Sequence, residues 1–323
     1  MKIYLSTSDY IRSFDRFINN FDISNPDILE IKTHPDWINV HPAILTFVAT
    51  LSVSVGREKV YVEEITASSG AYLDRMGLFN FTKEKSPYSI RCNEEAGRFI
   101  PLTIIKNSAE QSKFITDMIP MLHLPADKSD AIKYTIGELV RNVLEHSNSE
   151  SRAIVAAQYY KKSNTIRIGI CDNGIGIKNS LQRFWASKAR TDIEAIKLAL
   201  TPGISGTTFR EGGTEDNAGA GLFFIKSIAQ VARNYFLIYS GSGIYKLLLH
   251  DKRIENPRLH ANPNEDRHSE RNDAPYFHGT LAAIDLSLDN NAEFTKLLSA
   301  IRESYGKAVR ERKKRIFKEP KFI

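Results

Sequence analysis

The sequence predicts an α/β protein made of two units and a charged C-terminal helix. Stretches that alternate like strands are interleaved with apolar helical stretches along most of the 323 residues. Hydrophobic residues make up 42% of the chain, enough for a sizeable core in each unit. A polar stretch over residues 80–98, punctuated by Pro87, separates the two units and places the first at 1–95.

The first unit alternates element types. We expect a strand, an apolar helix, a second strand and a second helix, in the stretches DILEIK, PAILTFVATLSVSV, EKVYVEEI and GAYLDRMG. This order predicts a small α/β domain.

The second unit is predicted over residues 96–288. It opens with the strand FIPLTII and closes with the strand TLAAIDLSL. Residues 250–278 are nearly all polar and hold four of the eight histidines, so we interpret them as an excursion from the fold. The spacing of these histidines fits no metal-ligand motif, and we favour surface-loop histidines over a metal site.

Composition and charge exclude several classes of protein. Asp9 and Arg12 interrupt the start where a signal peptide needs an apolar core, and the longest uncharged run, residues 41–56, falls short of the roughly 20 apolar residues of a membrane span. We therefore predict a cytoplasmic protein with no membrane span. The two cysteines, Cys92 and Cys171, form no CxxC pair and indicate neither a disulfide framework nor a structural zinc.

The net charge of +6 lies in the C-terminal tail. Residues 302–323 hold nine Lys and Arg against three Asp and Glu, and the rest of the chain holds 35 of each sign. The last segment, 289–323, is predicted to be a charged helix and tail. A solvated helix end is the favoured interpretation, and weak nucleic-acid binding through this tail remains an alternative.

The stretch TIRIGICDNGIGI predicts a strand that ends in a buried acid. Ile166, Ile168 and Ile170 share one face, and the period of two places Asp172 on that same inward face. A buried carboxylate is unfavourable unless hydrogen bonds are donated to it. A hairpin turn is the alternative interpretation, because Asn-Gly is a strong turn signal.

A helix is predicted over residues 129–147. Its buried stripe consists of Ile132, Ile136, Leu139 and Val143. Glu138 and Asn142 share one flank beside that stripe, since residues four apart are neighbours on a helix. A carboxylate next to an amide suits a metal-nucleotide site, although an exposed helix face is the alternative.

A glycine-rich segment precedes the next apolar helix. Six of the 18 glycines fall between Gly203 and Gly221. Such a loop exposes backbone N–H groups at a helix N-terminus, which suits phosphate binding. The alternative is a glycine loop without a ligand, and no GxxxxGK[ST] motif occurs in the chain.

In combination, these motifs resemble the GHKL ATPases. ELVRNVLEH looks like the N box of that superfamily, DNGIGI like its first glycine box, NAGAGLFFIKSIA like its second, and GTLAAIDL like its late Gly-Thr strand. The resemblance covers about residues 99–288 and is nearest to anti-sigma-type serine kinases and histidine-kinase catalytic domains. It implies the Bergerat fold, a two-layer sandwich of mixed sheet and helices, with ATP and Mg²⁺ as cofactors.

The resemblance also implies roles for single residues. Asp172 would accept a hydrogen bond from the adenine amine, Asn142 would hold Mg²⁺, and Glu138 would polarise a water or a substrate hydroxyl. Gly174 and Gly176 would let the backbone approach the base and ribose.

Further roles follow from the same resemblance. Gly219 and Gly221 would cradle phosphate, and Thr280 would support the adenine pocket. A lid is expected over residues 178–216, including Trp185 and Arg210.

The first unit loosely resembles a STAS-type domain. Ser68 and Ser69, followed by Gly70, are similar to the phosphorylated serine loop of such domains, and a helix cap is the alternative. The resemblance implies a protein partner or an internal one, the N-terminal domain, and leaves a homodimer open.

Two functional hypotheses follow. The first is an ATP-dependent regulatory protein that hydrolyses ATP or transfers its γ-phosphate to a protein. The second is a non-catalytic nucleotide sensor.

Overall fold

The structure is a computed structural model that describes residues 1–88, 99–117, 126–147, 153–206, 221–249, 259–288 and 294–317. Its strands are β1 (Lys2–Leu5), β2 (Leu29–Thr33), β3 (Val60–Val62), β4 (Phe99–Ile105), β5 (Ala153–Tyr160), β6 (Thr165–Asp172), β7 (Phe236–Gly241), β8 (Gly243–Leu247), β9 (His268–Arg271) and β10 (Phe277–Ser287). Its helices are α1 (Phe14–Asn19), α2 (Pro42–Val55), α3 (Ala71–Arg75), α4 (Ser108–Asp117), α5 (Ala126–His146), α6 (Gly176–Trp185), α7 (Asp192–Ala199), α8 (Gly221–Val231) and α9 (Phe294–Phe317).

The strands form two sheets of different kinds. A three-stranded parallel sheet has the order β1-β2-β3. A seven-stranded sheet has the order β4-β5-β6-β10-β7-β8-β9, and its paired neighbours are antiparallel. The predicted α/β class is confirmed, with the parallel and antiparallel pairs divided between two sheets instead of mixed within one.

The large sheet is covered on both faces. One face packs against the helices α5, α6, α7 and α8 around a core that includes Ile136, Ile168 and Phe223. The other face shares a second core with the N-terminal residues. Because successive side chains of a strand point to opposite faces, β6 contributes Ile166, Ile168 and Ile170 to the first core and Cys171 to the second.

Helix α2 is the element that joins the N-terminal residues to the large sheet. It has the bounds predicted from the sequence, begins with Pro42 in its first turn and is buried over most of its length. The His41 side chain caps it by accepting a hydrogen bond from the Ala43 N–H at 3.0 Å. Gly169 on β6 allows the close approach, because a Cβ there would lie 2.2 Å from Ala43 Cα.

The shared core ties the predicted first unit to the predicted second unit. The ring of Phe47 on α2 lies 5.9 Å from that of Tyr239 and 4.9 Å from that of Phe277. Lys246 on β8 forms an ion pair with Asp15 on α1. The division at residue 95 stays a prediction, and its boundary residues, 89–98, lie outside the described part of the chain.

The polar excursion predicted at residues 250–278 is partly built into the fold, which corrects that interpretation. Strand β9 pairs with β8 at the edge of the large sheet. Asp266 accepts hydrogen bonds from Lys226 Nζ at 2.6 Å and from the Tyr245 hydroxyl at 2.9 Å. Both Lys226 and Asp266 are fully buried, so this charge pair fixes the excursion to α8.

None of the described helices has the length and hydrophobicity needed to cross a membrane.

Candidate functional site

A cavity of about 270 Å³ lies on the helical face of the large sheet. Helices α5, α6 and α8 and strands β6 and β10 supply most of its wall. The predicted site residues on this wall are Glu138, Asn142, Asp172, Gly176, Gly221 and Thr280. Residues from four distant stretches of the chain therefore meet in one place.

Asp172 is the buried acid of the cavity. It is 1% exposed, and its Oδ1 accepts a hydrogen bond from the Gly174 N–H at 2.7 Å. Burial raises the pKa of this carboxyl to about 7, although the backbone N–H groups of Gly174 and Thr280 lower it. The backbone therefore offers this carboxylate donors, but its raised pKa indicates that they do not fully compensate for burial.

The cavity wall around Asp172 is largely apolar. The side chains there come from β6, β10, β7, α5 and α6 and include Val143, Ile170, Ile177, Leu181, Ile238 and Ala282. Thr280 lies opposite Asp172 in the register of β6 and β10. An apolar slot with a single carboxyl at its end suits a flat, mostly apolar ring that carries a hydrogen-bond donor.

Ser240 organises the backbone beneath this slot. Its hydroxyl accepts from the Ile177 N–H at 3.0 Å and donates to the Gly279 carbonyl at 2.8 Å. Gly176 lies beside it with φ of +74°, a left-handed conformation that favours glycine, and contributes to the cavity wall. The predicted position of Gly176 at the site agrees with the structure.

Gly174 lies behind the cavity wall. A Cβ on it would be 2.1 Å from the Ser147 carbonyl oxygen, and the next residue, Ile175, donates its N–H to that oxygen at 2.7 Å. Glycine is needed there because the loop after β6 packs against the C-terminal end of α5. This corrects the expectation that Gly174 lets the backbone approach a ligand.

Glu138 and Asn142 form the polar end of the cavity, as their spacing on α5 predicts. The Glu138 side chain is 13% exposed, and its Oε2 accepts a hydrogen bond from Arg141 Nη2 at 2.5 Å. Burial raises the pKa of Glu138, and Arg141 opposes that shift. The Asn142 Nδ2 atom is buried and has no hydrogen-bond partner among the described residues.

Gly221 brings the N-terminus of α8 to this polar end. A Cβ at this position would lie 2.7 Å from Glu138 Oε2 and 3.3 Å from Asn142 Nδ2. The absence of a side chain therefore leaves the first turn of an 11-residue helix open to the cavity. A helix N-terminus has free N–H groups and a partial positive charge that favour an anion. Gly219, which was predicted with Gly221, lies outside the described residues.

The described part of the predicted lid is packed into the protein. Residues 176–206 include α6 and α7, and Trp185 is buried with its Nε1–H donating to the Ser205 carbonyl at 2.9 Å. The prediction of a lid over 178–206 was therefore wrong, because the apolar faces of these helices belong to the core. The rest of the predicted lid, with Arg210, lies outside the described residues.

The sequence reasoning missed several residues of the cavity wall. They are Tyr134, Arg141, Glu145, His146, Ser180, Ser205, Gly206 and Arg302, among others. Spacing on α5 could have indicated Arg141 and Glu145, which follow Glu138 by three and seven residues. No local signal points to Arg302, because α9 comes from the far end of the chain.

The histidines of the excursion have separate surroundings. His278 donates from Nδ1 to the Gly174 carbonyl at 3.0 Å, His268 stacks on Tyr245, and His260 pairs with Glu265. The described residues contain no cluster of His, Cys, Asp and Glu that could hold a metal ion. His250 lies outside them.

The predicted serine loop of the first unit is held by the backbone. The Ser69 hydroxyl accepts from the Ile38 N–H at 2.6 Å and donates to the Ile38 carbonyl at 3.0 Å. No serine side chain caps α3, so the helix-cap alternative was wrong. The STAS-like assignment stays a prediction.

A family model for the histidine kinase-like ATPase domain matches residues 107–235. These residues form a histidine kinase-like ATPase domain. The match extends from the start of α4 to just before β7, and it includes Glu138, Asn142, Asp172 and Gly221. The predicted GHKL-type ATPase or kinase domain is thereby confirmed.

The other comparisons add little. No curated protein matches the chain. One matching solved structure is described as the N-terminal domain of a DNA repair protein, with 13% sequence identity. The match covers 57% of this chain and 48% of that chain, about half of its length, with a TM-score of 0.22. A similarity of that degree supports no argument about fold or function.

Proposed function

We propose that the cavity binds Mg-ATP and that the protein hydrolyses it or transfers its γ-phosphate to a protein. The observation that carries this proposal is the difference in polarity between the two ends of the cavity. A buried carboxyl with a pKa of about 7 lies at an apolar end, and the N-terminus of α8 lies at the other end beside Glu138 and Asn142.

The two ends of the cavity suit the two ends of a nucleotide. Adenine is flat and largely apolar and carries an exocyclic amine that can donate to the Asp172 carboxylate. The phosphates are anionic, and the N–H groups in the first turn of α8, which begins at Gly221, favour anions. The histidine kinase-like ATPase domain supports the same ligand.

The residues at the polar end fit a magnesium ion bound together with phosphate. Asn142 has a buried amide whose terminal nitrogen has no hydrogen-bond partner among the residues that the structure describes, and a Cβ at Gly221 would fill the space beside it. Amide and carboxylate oxygens are ligands that Mg²⁺ accepts, usually together with substrate phosphates. Asn142 would hold the ion, which would neutralise part of the phosphate charge.

Glu138 is the residue proposed to move a proton. Its carboxylate takes a proton from a water or from a protein hydroxyl, and that oxygen then forms a bond to the γ-phosphorus. The bond between the γ-phosphorus and the bridging oxygen breaks, and ADP leaves with the electron pair. The raised pKa of Glu138 makes it a stronger base than an exposed glutamate.

A second candidate is a nucleotide sensor that binds ATP without turnover. The hydrogen bond of 2.5 Å between Arg141 and Glu138 favours it, because it occupies the oxygen that a base would use. In either case, we propose that the protein is regulatory and cytoplasmic and that its partner is the N-terminal unit or another protein. The Asn173 side chain next to Asp172 donates to Ser54 on α2 at 3.2 Å, which supports communication with the N-terminal unit.

Incubation with γ-labelled ATP separates the two candidates. We expect the wild-type protein to release labelled phosphate or become labelled, and Glu138→Gln to bind ATP while losing most of this activity, by about 10²-fold or more. Glu311→Gln, an exposed change on α9, is the control and should behave like the wild type. Binding without turnover in the wild type would favour the sensor, and no binding of Mg-ATP by calorimetry would refute both.

A further inference from the structure

The C-terminal helix α9 reaches the polar end of the cavity. Ile301 is fully buried, and the Tyr305 ring lies 6.2 Å from that of Phe223 and 5.9 Å from that of Phe224. These two phenylalanines follow Gly221 in the first turn of α8. The helix is thereby fixed next to the helix N-terminus that faces the cavity.

Arg302 is the residue that this packing brings to the cavity wall. Its charge acts on Tyr134, which lies one turn before Glu138 on α5. The pKa of Tyr134 is raised by burial and by Glu138, and the charges of Arg141 and Arg302 oppose that rise. Arg302 therefore lies at the end of the cavity where Glu138 is found.

The two arginines at the polar end of the cavity, Arg141 and Arg302, differ in their partners. Arg141 pairs with Glu138 at 2.5 Å and lies 3.9 Å from Glu145, so carboxylates already balance its charge. Arg302 forms no ion pair with any residue that the structure describes, and its side chain is exposed. A guanidinium that has no carboxylate partner among the described residues and lies on the wall of a cavity attracts an anion, and it can bond to phosphate oxygens through two of its N–H groups.

We propose that Arg302 binds the phosphate chain of the nucleotide, so that α9 supplies a wall and a cation of the site. This inference rests on the proposed function and adds a binding residue from outside the segment that the family model matches, residues 107–235.

The test compares the binding of Mg-ATP, Mg-ADP and adenosine by calorimetry in the full-length protein. Arg302→Ala should weaken Mg-ATP binding about tenfold and leave adenosine binding unchanged, because adenosine has no phosphate. Arg302→Lys should restore part of the affinity. Arg310→Ala, an exposed arginine about 12 Å further along the same helix, should bind all three ligands like the wild type.

The pattern of losses decides the outcome. A loss for Mg-ATP alone, or for Mg-ATP and Mg-ADP together, supports the contact and distinguishes the γ-phosphate from the β-phosphate. An equal loss for adenosine would overturn it, because Arg302 would then act through the packing of α9. Unchanged Mg-ATP binding in Arg302→Ala would also overturn it, whereas a wild-type protein that binds none of the ligands would refute the proposed function itself.

Discussion

Burying Asp172 lowers the stability of the folded protein. This distinguishes it from residues whose role is to stabilise the fold. Its folded-state pKa of about 7 lies above the usual value of 3.8, so the folded protein holds this proton more tightly than the unfolded chain. The free energy of unfolding therefore falls as pH rises from about 4 to 7, and the destabilisation by Asp172 is complete above pH 7. A buried carboxylate that destabilises the fold is better explained by a role in ligand binding than by a structural role.

Asp172→Asn should therefore weaken ATP binding without weakening the fold. We expect affinity for Mg-ATP to fall at least about tenfold, because an amide is a poorer acceptor for the adenine amine than a carboxylate. Urea unfolding at pH 8 should show a free energy of unfolding no lower than that of the wild type. Wild-type affinity in this variant, measured by calorimetry, would contradict the assignment of Asp172 to the base.

At the scale of elements, the packing of α2 on β6 depends on one glycine. A Cβ on Gly169 would lie 2.2 Å from Ala43 Cα and 2.5 Å from Ala43 N, which are backbone atoms and cannot rotate away. Gly169→Ala should lower the free energy of unfolding by about 1–3 kcal/mol. Gly137→Ala on α5 is the matched control, because its Cβ would make ordinary contacts with the side chains of Ile115 at 3.6 Å and Gln111 at 3.9 Å, and it should stabilise the helix by roughly 0.5–1 kcal/mol. Equal effects of the two changes in urea unfolding would show that Gly169 is not needed for this contact.

The elements also show how far the sequence could predict the structure. The period of two in β6 predicted the inward direction of Asp172, and the spacing on α5 predicted that Glu138 and Asn142 share a flank, since both patterns are local. The role of Gly174 was mistaken, because its neighbour, the Ser147 carbonyl, is 27 positions away in the chain. The approach of Arg302 to Tyr134 depends on helix packing over an even longer separation, and no periodicity within α9 reveals it.

At the scale of the whole molecule, His41 joins the N-terminal residues to the large sheet. Its Nδ1 accepts from the Ala43 N–H, so the neutral ring donates from Nε2 to Asp285 at 2.9 Å, with Arg167 also close to Asp285. Burial lowers the pKa of His41 below the usual value of 6.5. The folded protein then binds fewer protons than the unfolded chain, so this contribution to stability is complete above about pH 6.5 and is lost as pH falls below it.

His41→Asn should reduce this pH dependence. Asparagine can also cap a helix but does not titrate, so the difference in free energy of unfolding between wild type and variant should shrink from pH 8 to pH 5. Comparing the two proteins at each pH cancels the opposite contribution of Asp172 and the parallel one of His146, whose pKa is also lowered by burial. A constant difference across that range, measured by urea unfolding, would show that folding does not shift the pKa of His41.

The second core has a practical consequence for biochemical work on the candidate site. A shortened protein that begins at Phe99 would keep every cavity residue. However, Leu237, Tyr239 and Phe277 would become exposed to water as part of a large hydrophobic surface. Such a fragment would aggregate before its chemistry could be measured. Experiments on this domain therefore need the polypeptide from Met1 onward.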